Sequence, residues 1–153
     1  MITADHTNQT EHPEYMTESG TFAVPVIFYQ PGSTLKGHID AIAQQIDIMP
    51  TVLGYLGYDK PYISFGCDLL TTPTSQTSAV NYIGGVYQYH KGRYLLQFDG
   101  KESVALYDFV SDRLLEHNLL GTLPEMQSSM ESELKAIIQQ YMTRMNTDKL
   151  VCE

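Results

Sequence analysis

Asp5 and His6 are the residues of this chain best suited to chemistry. They stand together after a short β-type run, Ile2-Thr3-Ala4. The C-terminal end of a strand is where open α/β sheets gather their functional groups. A carboxylate oxygen beside an imidazole nitrogen suits zinc or manganese. A structural or catalytic zinc takes three or four protein ligands, so a metal reading needs partners from elsewhere. Taken alone, the dipeptide also reads as a surface turn with two polar residues. His12, with Glu11 or Glu14, lies in the polar stretch 8–20 that follows and could add a ligand or meet a substrate. His38, beside Gly37, is a second such candidate; both histidines read more readily as residues of solvated loops. No phosphate-binding loop, GxSxG elbow or CxxC pair occurs, and no Ser/His/Asp or Cys/His spacing identifies a nucleophile.

The bulk of the chain narrows the setting for that pair. With 153 residues, 42% hydrophobic and 18% charged, it is the size and composition of one globular unit. A formal charge of −9 repels phosphate backbones, so nucleic acid is not an expected partner. Cys67 and Cys152 make no disulfide framework and are read as free thiols. No apolar run is long enough to span a membrane, and no basic region followed by an apolar stretch marks a signal peptide. The chain itself is expected to be soluble. Met1 opens almost directly onto the Asp-His pair, which suggests a piece of a longer protein whose upstream part is absent.

The elements that must position the pair can be read in order. Residues 22–29 are β-branched and aromatic, closed by Pro31-Gly32, and predict a buried strand with Pro25 at its start or on an edge. Residues 39–45 do not decide between helix and strand. Asp47 is placed as an N-cap, Pro50 in a first turn and Gly57 as a C′ stop. Between them, Met49, Val52, Leu53 and Leu56 recur at helical spacing. A Thr/Ser/Pro stretch, 71–78, marks a boundary. Residues 79–108 alternate with period two and break at Gly84-Gly85, His90-Lys91-Gly92 and Asp99-Gly100-Lys101. They predict an antiparallel meander of three or four strands whose tyrosines are half-buried or free to stack on a sugar. Thr122 to Glu125 reads as a capping box. The stripe Met126, Met130, Leu134, Ile137, Ile138, Tyr141 and Met145 predicts a helix over 123–146 with one face on a sheet.

In this order the pieces resemble the C-terminal part of a sulfatase-like enzyme of the alkaline phosphatase superfamily, closest to its lipoteichoic acid synthase branch, the phosphoglycerol transferases. The likeness is carried by Thr3-Ala4-Asp5-His6-Thr7, by 24–32 (VPVIFYQPG), by 45–53 (QIDIMPTVL), and by Leu106-Tyr107-Asp108 with Asn118-Leu119. It covers most of 1–121. It implies an α/β fold: residues 1–72 as the C-terminal portion of an alkaline-phosphatase-like sheet with flanking helices, and 79–148 as a small antiparallel meander with a long C-terminal helix. It implies that Asp5 and His6 bind a catalytic divalent metal, manganese or zinc rather than calcium; His12 and His38, read from the residues alone, are distant candidates for substrate contact. The nucleophile and at least one further ligand lie upstream, so this chain alone is expected to be inactive and its metal binding weak or absent. The partners implied are the missing N-terminal half of the polypeptide and, for the parent, a phospholipid or a sulfated or phosphorylated glycan. The parent is expected at a bacterial plasma membrane with an extracytoplasmic catalytic domain. Exposed sheet edges could make the fragment a homodimer. A fragment of a true sulfatase, a sulfuric ester hydrolase, and a non-catalytic interaction module with a tyrosine-rich face remain the alternatives.

Overall fold

A computed structural model describes residues 1–7 and 11–152; Asn8, Gln9 and Thr10 of the expected 8–20 loop lie outside the described residues. The fold is mixed α/β. Four strands, β1 (Ser78–Ile83), β2 (Val86–Lys91), β3 (Tyr94–Phe98) and β4 (Ser103–Asp108), form one antiparallel sheet in the order β1-β2-β3-β4. Before it stands a short helix, α1 (Ile48–Tyr55), and after it a long one, α2 (Pro124–Asn146). The meander thus has four strands.

Turn chemistry sets the register. Ile83 pairs with Val86, so Gly84-Gly85 is a two-residue loop. Both glycines have positive φ, +60° and +88°, as a type I′ turn demands. The next loop is Gly92-Arg93, because Lys91 pairs with Tyr94. His90 is therefore not part of a break: it lies inside β2, opposite Ala79 and Leu95. In the third loop the Asp99 carboxylate accepts the main-chain N–H groups of Lys101 (2.8 Å) and Glu102 (2.9 Å), which folds the chain back into β4.

Period-two alternation gives the sheet two different faces. One carries Tyr89, Leu96, Phe98 and Leu106, which pack with Met130 and Leu134 of α2 as the main core; Ile137 and Ile138 flank it. Each such side chain contributes roughly 1.5–3 kcal/mol when fully buried. A polar clasp fixes α2 in place: the Glu133 carboxylate accepts the Tyr89 hydroxyl (2.8 Å) and the Lys91 ammonium (2.5 Å) through one oxygen. The opposite face is partly polar. Gln97 donates to Gln88 (2.9 Å), and Gln88 donates to Glu18 (3.0 Å), so the N-terminal segment is tied to the back of the sheet.

Four expectations for local structure are corrected. Residues 22–29 form no strand; Ile27 alone makes an isolated bridge, with Ile2. A strand exists only through its ladder, and among the described residues no partner beyond Ile2 runs alongside; Ile27, Phe28 and Tyr29 are exposed. Asp47 stands at the N-cap position of α1, as expected, but its side chain makes no cap hydrogen bond. Its carboxylate turns back to accept the N–H groups of Gln44 (2.9 Å) and Cys67 (2.8 Å). Burial raises its pKa, with those main-chain donors opposing. The buried face of α1 is Pro50 and Thr51, while Met49 and Leu56 are exposed. Thr51 completes the staple: its hydroxyl donates to the Asp47 carbonyl (2.6 Å) and accepts the Leu69 N–H (3.0 Å). Finally, Thr122 makes no capping box. Its hydroxyl donates to the Leu119 carbonyl (2.7 Å), and Leu123 is the residue before Pro124 at the helix start. The C′ assignment of Gly57 holds: φ is +68°, with Gly57 N–H donating to Gly54 and Tyr58 N–H to Leu53, the Schellman pattern.

The staple has a measurable weight. Asp47→Asn replaces an acceptor oxygen with a second donor facing a main-chain N–H. It is expected to lower stability by about 2 kcal/mol in urea unfolding, with m unchanged. An equal midpoint for the variant would show that the staple is not structural.

Candidate metal half-site

The turn at Asp5-His6 is held by three surrounding segments. Ile2 and Ile27 exchange main-chain hydrogen bonds of 2.8 and 2.9 Å just before it. Thr7 closes it: its N–H (2.9 Å) and hydroxyl (3.2 Å) both donate to the Thr21 carbonyl. From the turn Gln45–Asp47 just before α1, the Gln45 amide donates to the Asp5 carbonyl (2.9 Å) and, at longer range, to that of Ala4 (3.4 Å). The stretches around residues 2–7, 24–32 and 45–53, far apart in sequence, therefore meet here.

The donor atoms are pre-set. One Asp5 oxygen, Oδ1, accepts the His6 main-chain N–H (3.0 Å). His6 Nδ1 lies 2.7 Å from the Thr7 carbonyl, which can only accept, so Nδ1 carries the ring proton and donates it. That leaves Asp5 Oδ2 and His6 Nε2 as lone-pair donors 3.5 Å apart. The spacing suits neighbouring ligands on one ion, whose bonds run about 2.0–2.2 Å. A ligand histidine commonly gives its second N–H to a carbonyl in just this way. Both side chains are open to solvent, 86% for Asp5 and 60% for His6. Among the described residues no set of three or more His, Cys, Asp or Glu side chains is grouped to hold an ion. The pair fits a divalent cation as two ligands and not as a closed cage.

The other expected residues sit differently. His12 precedes the turn Pro13–Met16 and meets the Tyr15 ring edge-on at 6.3 Å. His38 is exposed and bonded to Asp40 (2.8 Å); it borders a cleft of about 540 Å³ with Pro25, Ile27, Phe28 and Leu69. A larger cleft, about 850 Å³, reaches from Gln45 past Met49, Phe65 and Tyr82 to Tyr141, and none of the described residues lining it is charged. The tyrosine face is largely roofed by α2: Tyr89 is buried and Tyr87 packs on the core, while Tyr82 remains open. Cys67 is free and half-buried, and burial, then the Asp47 carboxylate, pushes its thiol up, away from a reactive thiolate.

Sequence reasoning missed His90. Its Nε2 meets the Ser19 hydroxyl at 2.5 Å, its Nδ1 is buried without a partner, and Phe109 stands edge-on at 5.3 Å. Burial pushes its pKa down to about 4. A buried lone pair costs less than a buried orphan N–H, so Nε2 carries the proton and donates to Ser19. The imidazole then cannot serve as a base toward that hydroxyl, and the pair is a tether and no nucleophile.

No family model matches the chain, and no curated protein matches it. Among the described residues no helix is long and apolar enough to cross a membrane.

Proposed function

We propose that this chain carries half of the metal site of a sulfatase-like phosphoglycerol transferase or hydrolase acting on phosphate esters. The single observation that carries this reading is the paired geometry of Asp5 Oδ2 and His6 Nε2, 3.5 Å apart, with the histidine tautomer fixed by Thr7. The meeting of three motif-bearing segments at that turn supports the same reading. Residues 1–72 are then the C-terminal portion of an alkaline-phosphatase-like α/β domain, with 79–148 as its appended subdomain. Asp5 and His6 hold a manganese or zinc ion, and His12 and His38 are left for substrate. When bound, the cation lowers the pKa of a nucleophile supplied upstream and neutralises the phosphate or sulfate oxygens. Asp5 contributes charge and one donor oxygen. His6 contributes a neutral nitrogen, and Thr7 keeps its proton on the far side of the ring. This chain alone turns over no substrate. The parent acts on a phospholipid or a charged glycan at a bacterial plasma membrane.

The residues preceding Met1 in the parent reading frame test the reaction class. A Thr nucleophile with an upstream acidic ligand is expected for phosphoglycerol transfer. A Cys-x-Pro-x-Arg motif would reassign the chain to a true sulfatase. An upstream frame with neither nucleophile nor acidic ligand would overturn the enzymatic reading in favour of an interaction module.

A further inference from the structure

We propose that Gln45 is a positioning residue of the Asp5-His6 turn, acting on the metal donors through the main chain. This deepens the reading above and rests on it. The Gln45 amide donates to the carbonyls of Asp5 (2.9 Å) and Ala4 (3.4 Å). Those carbonyls belong to the two peptide planes that flank the Asp5 Cα. One side chain therefore restrains both dihedrals that aim the Asp5 carboxylate, and the second plane also carries the His6 N–H that Oδ1 accepts.

The base of Gln45 is itself rigid. It opens the turn Gln45–Asp47, whose last residue is fully buried and stapled to Gln44 and Cys67. The preceding Gln44 accepts the Val80 N–H of β1 (3.1 Å) through its own side chain. On the far side of the metal turn, Thr7 is pinned to Thr21. The turn is thus strung between two anchors, with Asp5 and His6 projecting outward. Gln45 is not a ligand: its amide faces the carbonyls. It couples the turn that precedes α1 to the direction in which the two donors point.

Manganese titration tests this, read as paramagnetic broadening of the His6 ring resonances at fixed pH. In the wild-type chain the His6 signals broaden with a saturable midpoint. Gln45→Met keeps length and loses the donor, and Gln45→Ala serves as the second variant. Each is expected to raise that midpoint about tenfold, the scale of an outer-shell ligand contact. Metal-free urea unfolding stays at the wild-type midpoint, since the side chain is exposed. A wild-type manganese midpoint in both Gln45 variants overturns the proposal and leaves the metal reading standing. Affinity lost together with metal-free stability assigns Gln45 a merely structural role and overturns it as well. His6 signals indifferent to manganese in the wild-type chain overturn both readings.

Discussion

Lowering the pH from 7 to 4 is expected to cost this protein about 3 kcal/mol through His90 alone. The unfolded imidazole takes a proton near its ordinary value of 6.5; the folded one resists until about 4. Its folded pKa is depressed, so the unfolded state binds more protons throughout that window. Stability is therefore complete above pH 6.5 and drains away as pH falls toward 4. The cause is local. A second ring proton would sit on Nδ1, which is buried and faces no acceptor, while Ser19 holds Nε2 and Phe109 covers the ring edge. Glu18 approaches this region but is engaged by Gln88. Since carboxylates titrate in the same range, urea unfolding of wild type and His90→Gln should be compared at pH 7 and pH 4. The wild type should lose about 3 kcal/mol more than the variant. Parallel losses would show that His90 is protonated in the folded state. The first segment to loosen should be 17–22, and through Thr21 the closing bond of the Asp5-His6 turn.

The second large effect lies under α2. Leu134 is completely buried against the sheet core. Leu134→Ala is expected to cost about 3 kcal/mol or more, from lost transfer energy plus the cavity left between helix and sheet. Met142→Ala, on the same helix but 48% exposed, should stay within about 0.5 kcal/mol. Urea unfolding of the two variants separates them. Similar small losses in both would mean that α2 does not dock through the Met130–Leu134 face.

How far these features can be read from sequence depends on how local their causes are. The hairpins follow from Gly84-Gly85, Gly92 and Asp99-Gly100, whose backbone demands act within a few residues. The α2 stripe and Gly57 as a helix stop are local in the same sense. Residues 22–29 mislead because β-propensity reports fit to a sheet, and among the described residues Ile2 alone pairs with them. Asp47 looks like a helix cap from its neighbours, yet its decisive partner is Cys67, brought close by Gly66 packing directly onto the Ile46 carbonyl, where a Cβ would overlap. His90 was hidden by the turn signal of Lys91-Gly92 beside it; only the strand register turns it inward. For the candidate site, the two residue types, a carboxylate beside an imidazole, were legible in Asp5 and His6. The hydrogen bonds that aim them, from Gln45 and to Thr21, span long stretches of chain and are visible only once folded.

The central claim is that Asp5 and His6 form one half of a divalent-metal site. Calorimetric titration of the chain with manganese and zinc, beside Asp5→Asn and His6→Gln, tests it most directly. Two exposed ligands predict saturable binding no tighter than roughly micromolar, abolished in either variant. Binding that survives both substitutions, or stoichiometric binding far tighter than micromolar, would contradict a two-ligand half-site at this turn.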